Sequence, residues 1–561
     1  MLKKTLKKQG IGHRILFVGF LCLLGVCLAA KALPSGKAEF TREERTKQER
    51  SPKKMKVTLL HADRTLQREN NIGVQVLEGN VEFLYYSRYM SCDTAYNYNE
   101  RNYFEAFGNV KMNQGDTLFL YGDYLFYDGN ERLVQVRENV RMENQEVVLL
   151  TDSLNYDRNA NLGYYFDGGT LMDSVNVLTS EWGEYSPETK MSVFHFDVIL
   201  ENPEFRLTSD TLRYSTETRI ANIVGPSYIE SDGSHIYSEL GYYNTINRQA
   251  NLLDRSVLTH KNQELTGDSI FYDEQSKYGE AFGDVQMNDT LNKVMLTGEY
   301  CYSNELTGYA FATERAVAID YSQGDSLYMH GDSLKLVTFF MDTDSMYREM
   351  QAFHKVRFYR SDVQGVCDSL VFSSADSCLT MYTDPILWNA GQQLLGERIK
   401  IYMNDSTIDW AHIINQALTV EKKDSVHFNQ VAGKEMKFFF KDQDIYKAEV
   451  VGNVQSIFYP EDEDSVMMGM NFIEASRLNL YRKDGKMERI VFINQPVGKF
   501  TPMFLIPENE MRLENFAWFD YIRPLNKEDI FHWRSKTAGT ELKPTVSRTM
   551  PLPTLDKLKN K

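Results

Sequence analysis

Short stretches in which apolar and polar residues alternate recur along this chain at a fixed distance. Each clear copy has an acid, then an aliphatic residue or glycine two positions later, and a tyrosine two positions after that. Six consecutive copies place the acid at residues 123, 152, 181, 210, 239 and 268, with a constant step of 29 residues. Alternate residues of a strand point to one face. The pattern therefore predicts stacked β units with an aliphatic row beside a tyrosine row.

A looser form of the same unit extends beyond this series. Its acids are Asp93, Glu299, Asp332, Asp368 and Glu397, and its steps stretch to between 29 and 36 residues. We therefore assign residues 57–325 to regular repeats and residues 326–510 to further, less regular repeats.

A second motif lies between the acids. It combines Gly-Asn or Gly-Asp with a following valine, at 79–81, 108–110, 283–285 and 452–454. These residue types tolerate positive φ, so we expect each motif to be a turn that leads into a strand. Each unit is then expected to hold about four short strands, since strands average five or six residues. The sequence predicts an all-β, elongated repeat array with units of about 29 residues.

The two ends of the chain differ from the repeats. Residues 1–32 have a basic start, a long apolar run and a final Ala30-Lys31-Ala32, which fits a small-x-small cleavage site. These features predict a signal peptide. An uncleaved N-terminal anchor is the alternative, because the apolar run is nearly long enough to span a membrane. Residues 33–56 predict a charged linker. Residues 511–561 predict an aromatic C-terminal segment that ends in a disordered tail from about Lys536.

Charge and cysteine content narrow the choice of partners. The net charge is −16, and an acidic surface repels phosphate backbones, so we expect no nucleic-acid binding.

Four cysteines lie beyond the predicted signal, at Cys92, Cys301, Cys367 and Cys378. They are too few and too scattered for a disulfide framework. A Cys367–Cys378 bridge stays open as an alternative to inert thiols.

No catalytic or metal-binding motif interrupts the repeats. The chain has no His-Glu-x-x-His, Gly-x-Ser-x-Gly or glycine-rich phosphate loop. The repeating acids allow one functional interpretation, as a calcium ladder or as paired carboxylates of a glycosidase. One acid every 29 residues supplies too few ligands for such a site. We therefore interpret the acids as turn residues that accept backbone hydrogen bonds, and we expect no enzyme, no cofactor and no metal.

The aliphatic and tyrosine rows are the candidate binding residues, because stacking joins them into one lengthwise apolar surface. Two interpretations of the tyrosines stay open: they line a binding groove, or they simply fill a β core. The predicted groove residues are Leu125, Tyr127, Leu154, Tyr156, Tyr185, Leu212, Tyr214, Tyr243, Ile270 and Tyr272.

The order of the motifs resembles the OstA-like family. The resemblance rests on Leu77-Glu78-Gly79-Asn80-Val81-Glu82-Phe83, Cys92-Asp93-Thr94-Ala95-Tyr96 and Ala106-Phe107-Gly108-Asn109-Val110-Lys111-Met112. The 29-residue units and the stretch from Phe519 to Asn526 resemble long members of that family from the Bacteroides group. The resemblance implies an open β-jellyroll, or β-taco, whose apolar groove shelters the acyl chains of lipid A. It implies a periplasmic lipopolysaccharide-transport protein, free or tethered by its signal, that bridges the two membranes during outer-membrane assembly.

The resemblance also implies partners at the ends of the array. Exposed end strands are expected to pair with Lpt-type jellyroll domains of inner- and outer-membrane components, or head to tail with another copy. We expect these contacts near residues 73–85 and 450–500, because Gly-Asn-Val motifs bracket the repeat there. A non-catalytic envelope scaffold or surface β-solenoid without lipid cargo stays the alternative. A fully packed interior would favour that alternative.

Overall fold

The computed structural model of this protein describes residues 58–67, 73–85, 88–145, 147–322, 324–341, 343–389, 391–404, 407–441, 444–483 and 486–537. These residues belong to one compact unit, Val57–Lys561. The predicted signal or anchor, the charged linker and nearly all of the predicted disordered tail lie outside the described residues.

The predicted all-β fold is confirmed. The described residues form one antiparallel sheet of 36 strands. The first strands are β1 (Thr58–His61), β2 (Arg64–Gln67), β3 (Val74–Tyr85), β4 (Arg88–Tyr98), β5 (Tyr103–Gln114), β6 (Leu118–Asp128), β7 (Leu133–Asn144), β8 (Val147–Asp157), β9 (Leu162–Tyr165), β10 (Gly169–Met172), β11 (Val177–Ser180) and β12 (Trp182–Ser186). The next are β13 (Met191–Asn202), β14 (Phe205–Ser215), β15 (Ile220–Ser231), β16 (Ser234–Asn244), β17 (Gln249–His260), β18 (Gln263–Asp273), β19 (Tyr278–Asp289), β20 (Val294–Asn304), β21 (Tyr309–Thr313), β22 (Val317–Asp320), β23 (Leu327–His330) and β24 (Ser333–Phe339). The last are β25 (Tyr347–Tyr359), β26 (Val363–Ser373), β27 (Cys378–Tyr382), β28 (Ile386–Asn389), β29 (Gln392–Leu395), β30 (Arg398–Asn404), β31 (Thr407–Lys422), β32 (Phe428–Lys441), β33 (Asp444–Phe458), β34 (Gly469–Lys483), β35 (Lys486–Ile493) and β36 (Val497–Pro502).

A regular 29-residue unit contains two long strands, and the expectation of four short ones is wrong. Strands β5 and β6, for example, have 12 and 11 residues. The Gly-Asn pair was expected to be a turn between strands, but it lies inside β5. There Gly108 and Asn109 face the single residue Asp123 of β6, which makes a β-bulge with the register shifted around it.

Positive φ was the correct part of the turn prediction. Gly108 has φ 70° and Asn109 has φ 46°, and glycine and asparagine adopt this region at lower cost than most residues. The pair bends the strand without reversing the chain. Elsewhere the same bend separates two strand segments, as between β9 and β10.

The bends fold the sheet onto itself. The 11 residues of β14 would span about 35 Å when extended. Tyr214 near the end of β14 nevertheless donates a hydrogen bond to Asp173, which lies in a hairpin turn at the opposite end of the strands. Such a contact requires the two ends of the strands to meet.

Four names describe this arrangement. The first arm contains the strand halves that follow the acid of each unit, together with the halves that pair with them. The second arm contains the halves that precede the acid and their partners. The fold line passes through the acids and bulges. The seam is the opposite edge, where the turns of the two arms meet.

Between the arms lies one apolar core, which extends from Leu77 to Leu478. Close to the fold line the arms leave little room, and the position before each acid is always glycine, serine, threonine or cysteine. A Cβ atom at Gly122, for example, would collide with the side chain of Val136. Gly183, which interrupts the aliphatic row, leaves space for the buried ring of Tyr165.

The C-terminal segment packs on the outer face of the second arm. Residues 503–533, here called the C-terminal strap, include the 3-10 helices Met503–Leu505, Glu508–Glu510, Asp520–Ile522 and Asp529–Phe531. Neighbouring residues of β26 show that both faces of this arm are covered: Cys367 joins the interior core, whereas Val366 joins a second core with Phe519 of the strap.

Buried glutamines hold the backbone of the strap. Gln393 donates to the carbonyl of Ala517, with 2.9 Å between Nε2 and O, and accepts from the amide of Phe519 at 2.7 Å. Gln430 makes the same pair of bonds with Met511 and Leu513. The strap is therefore fixed to the sheet by its main chain as well as by its apolar side chains.

Candidate functional site

The aliphatic candidates form one continuous row inside the folded sheet. Leu125 faces Val136 on the next strand, and Val136 faces Leu154 on the strand after it. Leu125, Leu154, Leu212 and Ile270 are each at most 1% exposed. The predicted row therefore exists, and its members are packed side by side in the core.

The tyrosine candidates lie on the same face, closer to the seam. Tyr127 is partly buried against the core. The other five are buried: Tyr156, Tyr185, Tyr214, Tyr243 and Tyr272. Burial raises the pKa of Tyr214 to about 12. The rings fill the core, and the hydroxyl groups of Tyr185 and Tyr214 reach the opposite arm.

Asp173 is the centre of a polar cluster between the arms. It lies at the seam in the second arm, and its side chain is 1% exposed. From the first arm, Tyr214 donates to Oδ2 with an O–O distance of 2.7 Å, and Arg219 forms an ion pair with the same oxygen. Burial raises the pKa of Asp173, but hydrogen bonds from Tyr214 and from residues of its own turn outweigh it, so the pKa lies below its ordinary value.

Further contacts join the arms on both sides of this cluster, and with it they are here called the seam contacts. They are the hydrogen bonds from Asn144 to Tyr185 (3.0 Å), from Asn176 to Tyr214 (2.7 Å), from Asn176 to Thr245 (3.4 Å) and from Ser231 to Glu274 (2.8 Å), the ion pair of Arg248 with Glu204 (3.3 Å), and the rings of Phe205 and Tyr243 with centroids 4.9 Å apart. Sequence reasoning missed them because the partners are 38 to 69 residues apart and belong to different units.

The core is partly exposed on either side of the seam contacts. Among the described residues, none of the partly buried apolar side chains that pack against the interior core falls between 128 and 264. Before that stretch they are Ala62, Met90, Phe104, Met112, Leu118 and Tyr127. After it they are Leu265, Met287, Leu296, Leu327, Met350, Leu379, Ile408, Val431, Phe440, Ile445, Leu480, Ile490 and Phe492. We call these two stretches the N-terminal and C-terminal mouths.

Only Tyr127 of the predicted groove residues belongs to a mouth. The sequence search followed the strictly repeated units, and the mouths lie where the repeat starts or becomes irregular. A usable signal was present nevertheless. At the position of the tyrosine, four residues after the acid, the later units have Ser303, Leu336, Phe372 and Ile401.

The repeating acids lie on the fold line, where they hold the bulges. Asp93 accepts from the side-chain amide of Asn109 at 2.9 Å, and Asp123 accepts from Asn139 at 2.5 Å. The donors are side chains of the neighbouring strand, so the expectation of backbone hydrogen bonds in turns is wrong at these two positions. Asp63 accepts from Asn80 in the same way, and sequence reasoning missed it because its own unit is incomplete.

Metal ligation receives no support from the grouping of side chains. Within the described ranges, no three or more His, Cys, Asp or Glu residues come together as a possible metal site.

The four cysteines of the repeats are free and buried. Cys378 faces Ser373 on the neighbouring strand, whereas Cys367 faces Val356. The bridge between Cys367 and Cys378 that the sequence left open is therefore not formed.

The edges of the sheet differ from the expected ones at the N-terminal end. Strand β3, within the expected region 73–85, is not an edge, because β1 and β2 both pair with it. Residues of β1 and β2 are all exposed. At the other end β35 and β36 each pair with β34, within or next to the expected region 450–500. The described sheet thus begins with β1 and β2 and ends with β35 and β36.

Comparison with protein families gives a match for the first part of the repeats. No curated protein matches the chain. No helix in the described ranges is long and apolar enough to cross a membrane. Residues 54–210 match the family described as OstA-like protein, and they include the first bulges, the start of the tyrosine row and the N-terminal mouth. This part of the chain is therefore an OstA-like region.

Proposed function

We propose that this protein carries lipopolysaccharide through the periplasm, with the acyl chains of lipid A sheltered between the two arms of the folded sheet. The observation that carries the proposal is the single apolar core between the arms, with partly exposed apolar side chains at both mouths, in a chain with an OstA-like region. The OstA-like family is a periplasmic transport or binding family.

The hydrophobic effect gives the proposal its physical basis. Removing one methylene group from water stabilises a complex by about 0.8 kcal/mol, so several acyl chains need a long apolar surface. The rows through Leu125 and Leu154 supply such a surface along the sheet. In our proposal the predicted groove residues form the floor of the lipid path, and acyl chains first contact the mouths.

Partners are proposed at the two edges of the sheet. Strands β1 and β2 at one end and β35 and β36 at the other leave backbone groups that another strand can pair with. We propose that these edges join Lpt-type jellyroll domains of inner- and outer-membrane components, or another copy of this chain.

In-cell photo-crosslinking from the N-terminal mouth tests the proposal. Met112 packs against the interior core, whereas its neighbour Lys111 is exposed on the opposite face of β5. A photoreactive residue at Met112 is expected to form lipopolysaccharide adducts, and one at Lys111 is the matched control. Equal labelling at both positions would contradict the proposal.

A non-catalytic envelope scaffold is the second candidate function. The closed core between residues 128 and 264 favours it, since a packed interior leaves no room for lipid in that stretch. The two candidates differ in what purification yields. Lipid A that copurifies with the protein supports transport. Lipid-free protein, together with lipopolysaccharide that still reaches the surface after depletion of the protein, supports the scaffold.

A further inference from the structure

The seam contacts and the closed stretch of the core coincide. All the seam contacts lie between Asn144 and Glu274, and the core lacks partly exposed apolar residues between 128 and 264 among the described residues. Both mouths lie outside the closed stretch, residues 128–264. The arms are therefore held together by polar groups in the same stretch in which the interior is closed.

The tyrosine row ends where the seam contacts end. Its last members are Tyr243, whose ring packs on Phe205, and Tyr272, and the next units replace the tyrosine with Ser303, Leu336, Phe372 and Ile401. A core that only had to be filled would be served throughout by apolar side chains such as Leu336, Phe372 and Ile401. Two of the phenols make hydrogen bonds with the opposite arm, since Tyr185 accepts from Asn144 and Tyr214 donates to Asp173.

The chemistry of these contacts suits a closure that can open. Tyr214, Arg219, Asp173 and Asn176 are polar groups that water can satisfy as soon as the arms separate. Burying the ion pair of Arg219 with Asp173 costs desolvation, which largely offsets the attraction between the charges. An apolar seam would resist opening in proportion to the area exposed. A polar seam closes the interior firmly and opens at a smaller cost.

We infer that the seam contacts form a latch that separates the two mouths, and that lipid acyl chains pass the middle of the sheet only when the latch opens. The inference rests on the proposed function for its ligand, but the opening of the arms is a property of the protein alone. The latch makes residues 144–274 a gate between two lipid-accessible stretches.

The first test measures the arms without lipid. Spin labels at Val175→Cys and Thr218→Cys, both exposed residues on opposite sides of the seam, report the distance between the arms in the full chain. Tyr214→Phe removes only the hydroxyl group that bonds Asp173. Loss of a hydrogen bond to a charged group shifts an equilibrium by about tenfold or more, so we expect the population with separated arms to rise by that factor.

Two further variants make this test specific. Tyr228→Phe is the matched control, because Tyr228 is 56% exposed and lies away from the seam, and it should leave the distances unchanged. Arg248→Gln removes a second seam contact, the ion pair with Glu204, and should also widen the distribution. If neither Tyr214→Phe nor Arg248→Gln differs from the Tyr228→Phe control, the latch inference is wrong.

The second test adds lipid A in detergent as the probe. Photoreactive residues at Leu212, in the closed stretch, and at Met112, in the N-terminal mouth, report where the lipid reaches. We expect labelling at Met112 to exceed labelling at Leu212 in the otherwise unchanged protein. Tyr214→Phe should raise labelling at Leu212 by about tenfold and leave Met112 unchanged.

The outcomes separate the two claims. Labelling at Leu212 as strong as at Met112 with the latch intact would overturn the latch and leave the proposed function standing. An absence of labelling at both sites in every variant would overturn the proposed function, whereas the distance measurement would still decide whether the arms are latched.

Discussion

Asn109 donates its side-chain amide to the carboxylate of Asp93 across the fold line, with 2.9 Å between Nδ2 and Oδ2. The two residues are 16 positions apart in the chain and belong to neighbouring strands. The Cβ atom that alanine would add at Gly108 would collide with the same carboxylate oxygen. Acid, glycine and asparagine therefore fix one bend together, which explains why they recur together along the sequence.

Gly108→Ala is expected to destabilise the bend for two separable reasons. Its φ of 70° is unfavourable for alanine, and the new Cβ would strike Asp93. Gly115 is the matched control, because it has φ 63° and nothing within 4 Å of an added Cβ. We expect Gly115→Ala to cost about 1 kcal/mol of unfolding free energy and Gly108→Ala to cost distinctly more. Urea unfolding of both variants measures the difference, and equal costs would rule out the collision.

The acid itself is expected to act by accepting a hydrogen bond. Asp93→Asn keeps a side-chain acceptor and should change stability little, whereas Asp93→Ala should cost about 1 kcal/mol. Asn109→Ala should cost a similar amount, and the double variant should cost less than the sum, because both changes remove the same bond. Calcium should not raise the melting temperature of the unchanged protein. A calcium-dependent rise that Asp93→Asn abolishes would show that the acids bind the ion.

The sequence could predict the features of the fold that depend on residues within a single strand. The alternation from Asp123 through Leu125 to Tyr127 gave the inward face correctly, because residues two apart share a face whatever the sheet does beyond them. The Gly108-Asn109 pair gave positive φ, but a turn and a bulge both need it. A bulge differs from a turn in that Gly108 and Asn109 lie opposite a residue of the neighbouring strand, here Asp123. One short motif does not show how strands pair.

The sequence could not predict the features of the fold that depend on contacts between distant units. Tyr214 and Asp173 are 41 residues apart, and they meet only because the sheet folds at every bulge. The C-terminal strap is a similar case, since nothing in Phe519 and its neighbours specifies which face of the sheet they cover. Three glutamines do indicate that this face is covered. Gln364, Gln393 and Gln430 each place an amide on an otherwise apolar strand face.

The strap is expected to depend on these glutamines. Gln393→Ala leaves the carbonyl of Ala517 and the amide of Phe519 unpaired in a buried interface, at a cost of about 2–5 kcal/mol for the two groups together. Hydrogen exchange at the amide of Phe519 should become faster, and proteases should cut the strap more readily. Gln392→Ala is the neighbouring control and should leave both unchanged. A strap that stays protected in Gln393→Ala would show that its apolar side chains suffice.

The cysteines are expected to be unreactive while the protein is folded. Burial raises the pKa of Cys92 and of Cys301 to about 12, so almost no thiolate forms at neutral pH. A maleimide should therefore react only after the protein unfolds, and it should then modify all four thiols that are buried in the described part of the chain. Rapid modification of Cys301 in the native protein would show that the core around it opens.

Acid is expected to weaken the latch through Asp173. Its folded pKa lies below the ordinary value, because hydrogen bonds to the carboxylate outweigh the effect of burial. A carboxyl group with a lowered pKa contributes stability that is fully present above its unfolded pKa of about 3.9 and is lost as the pH falls through the folded pKa. The arms should thus stay closed at neutral pH and separate more often below about pH 4.

Other acids titrate in the same range, so the measurement compares the spin-label distances of the unchanged protein with those of Asp173→Asn between pH 3 and pH 7. Asp173→Asn should be more open at neutral pH, and the difference between the two proteins should shrink as the pH falls. A difference that stays constant across this range would show that the charge of Asp173 does not hold the seam.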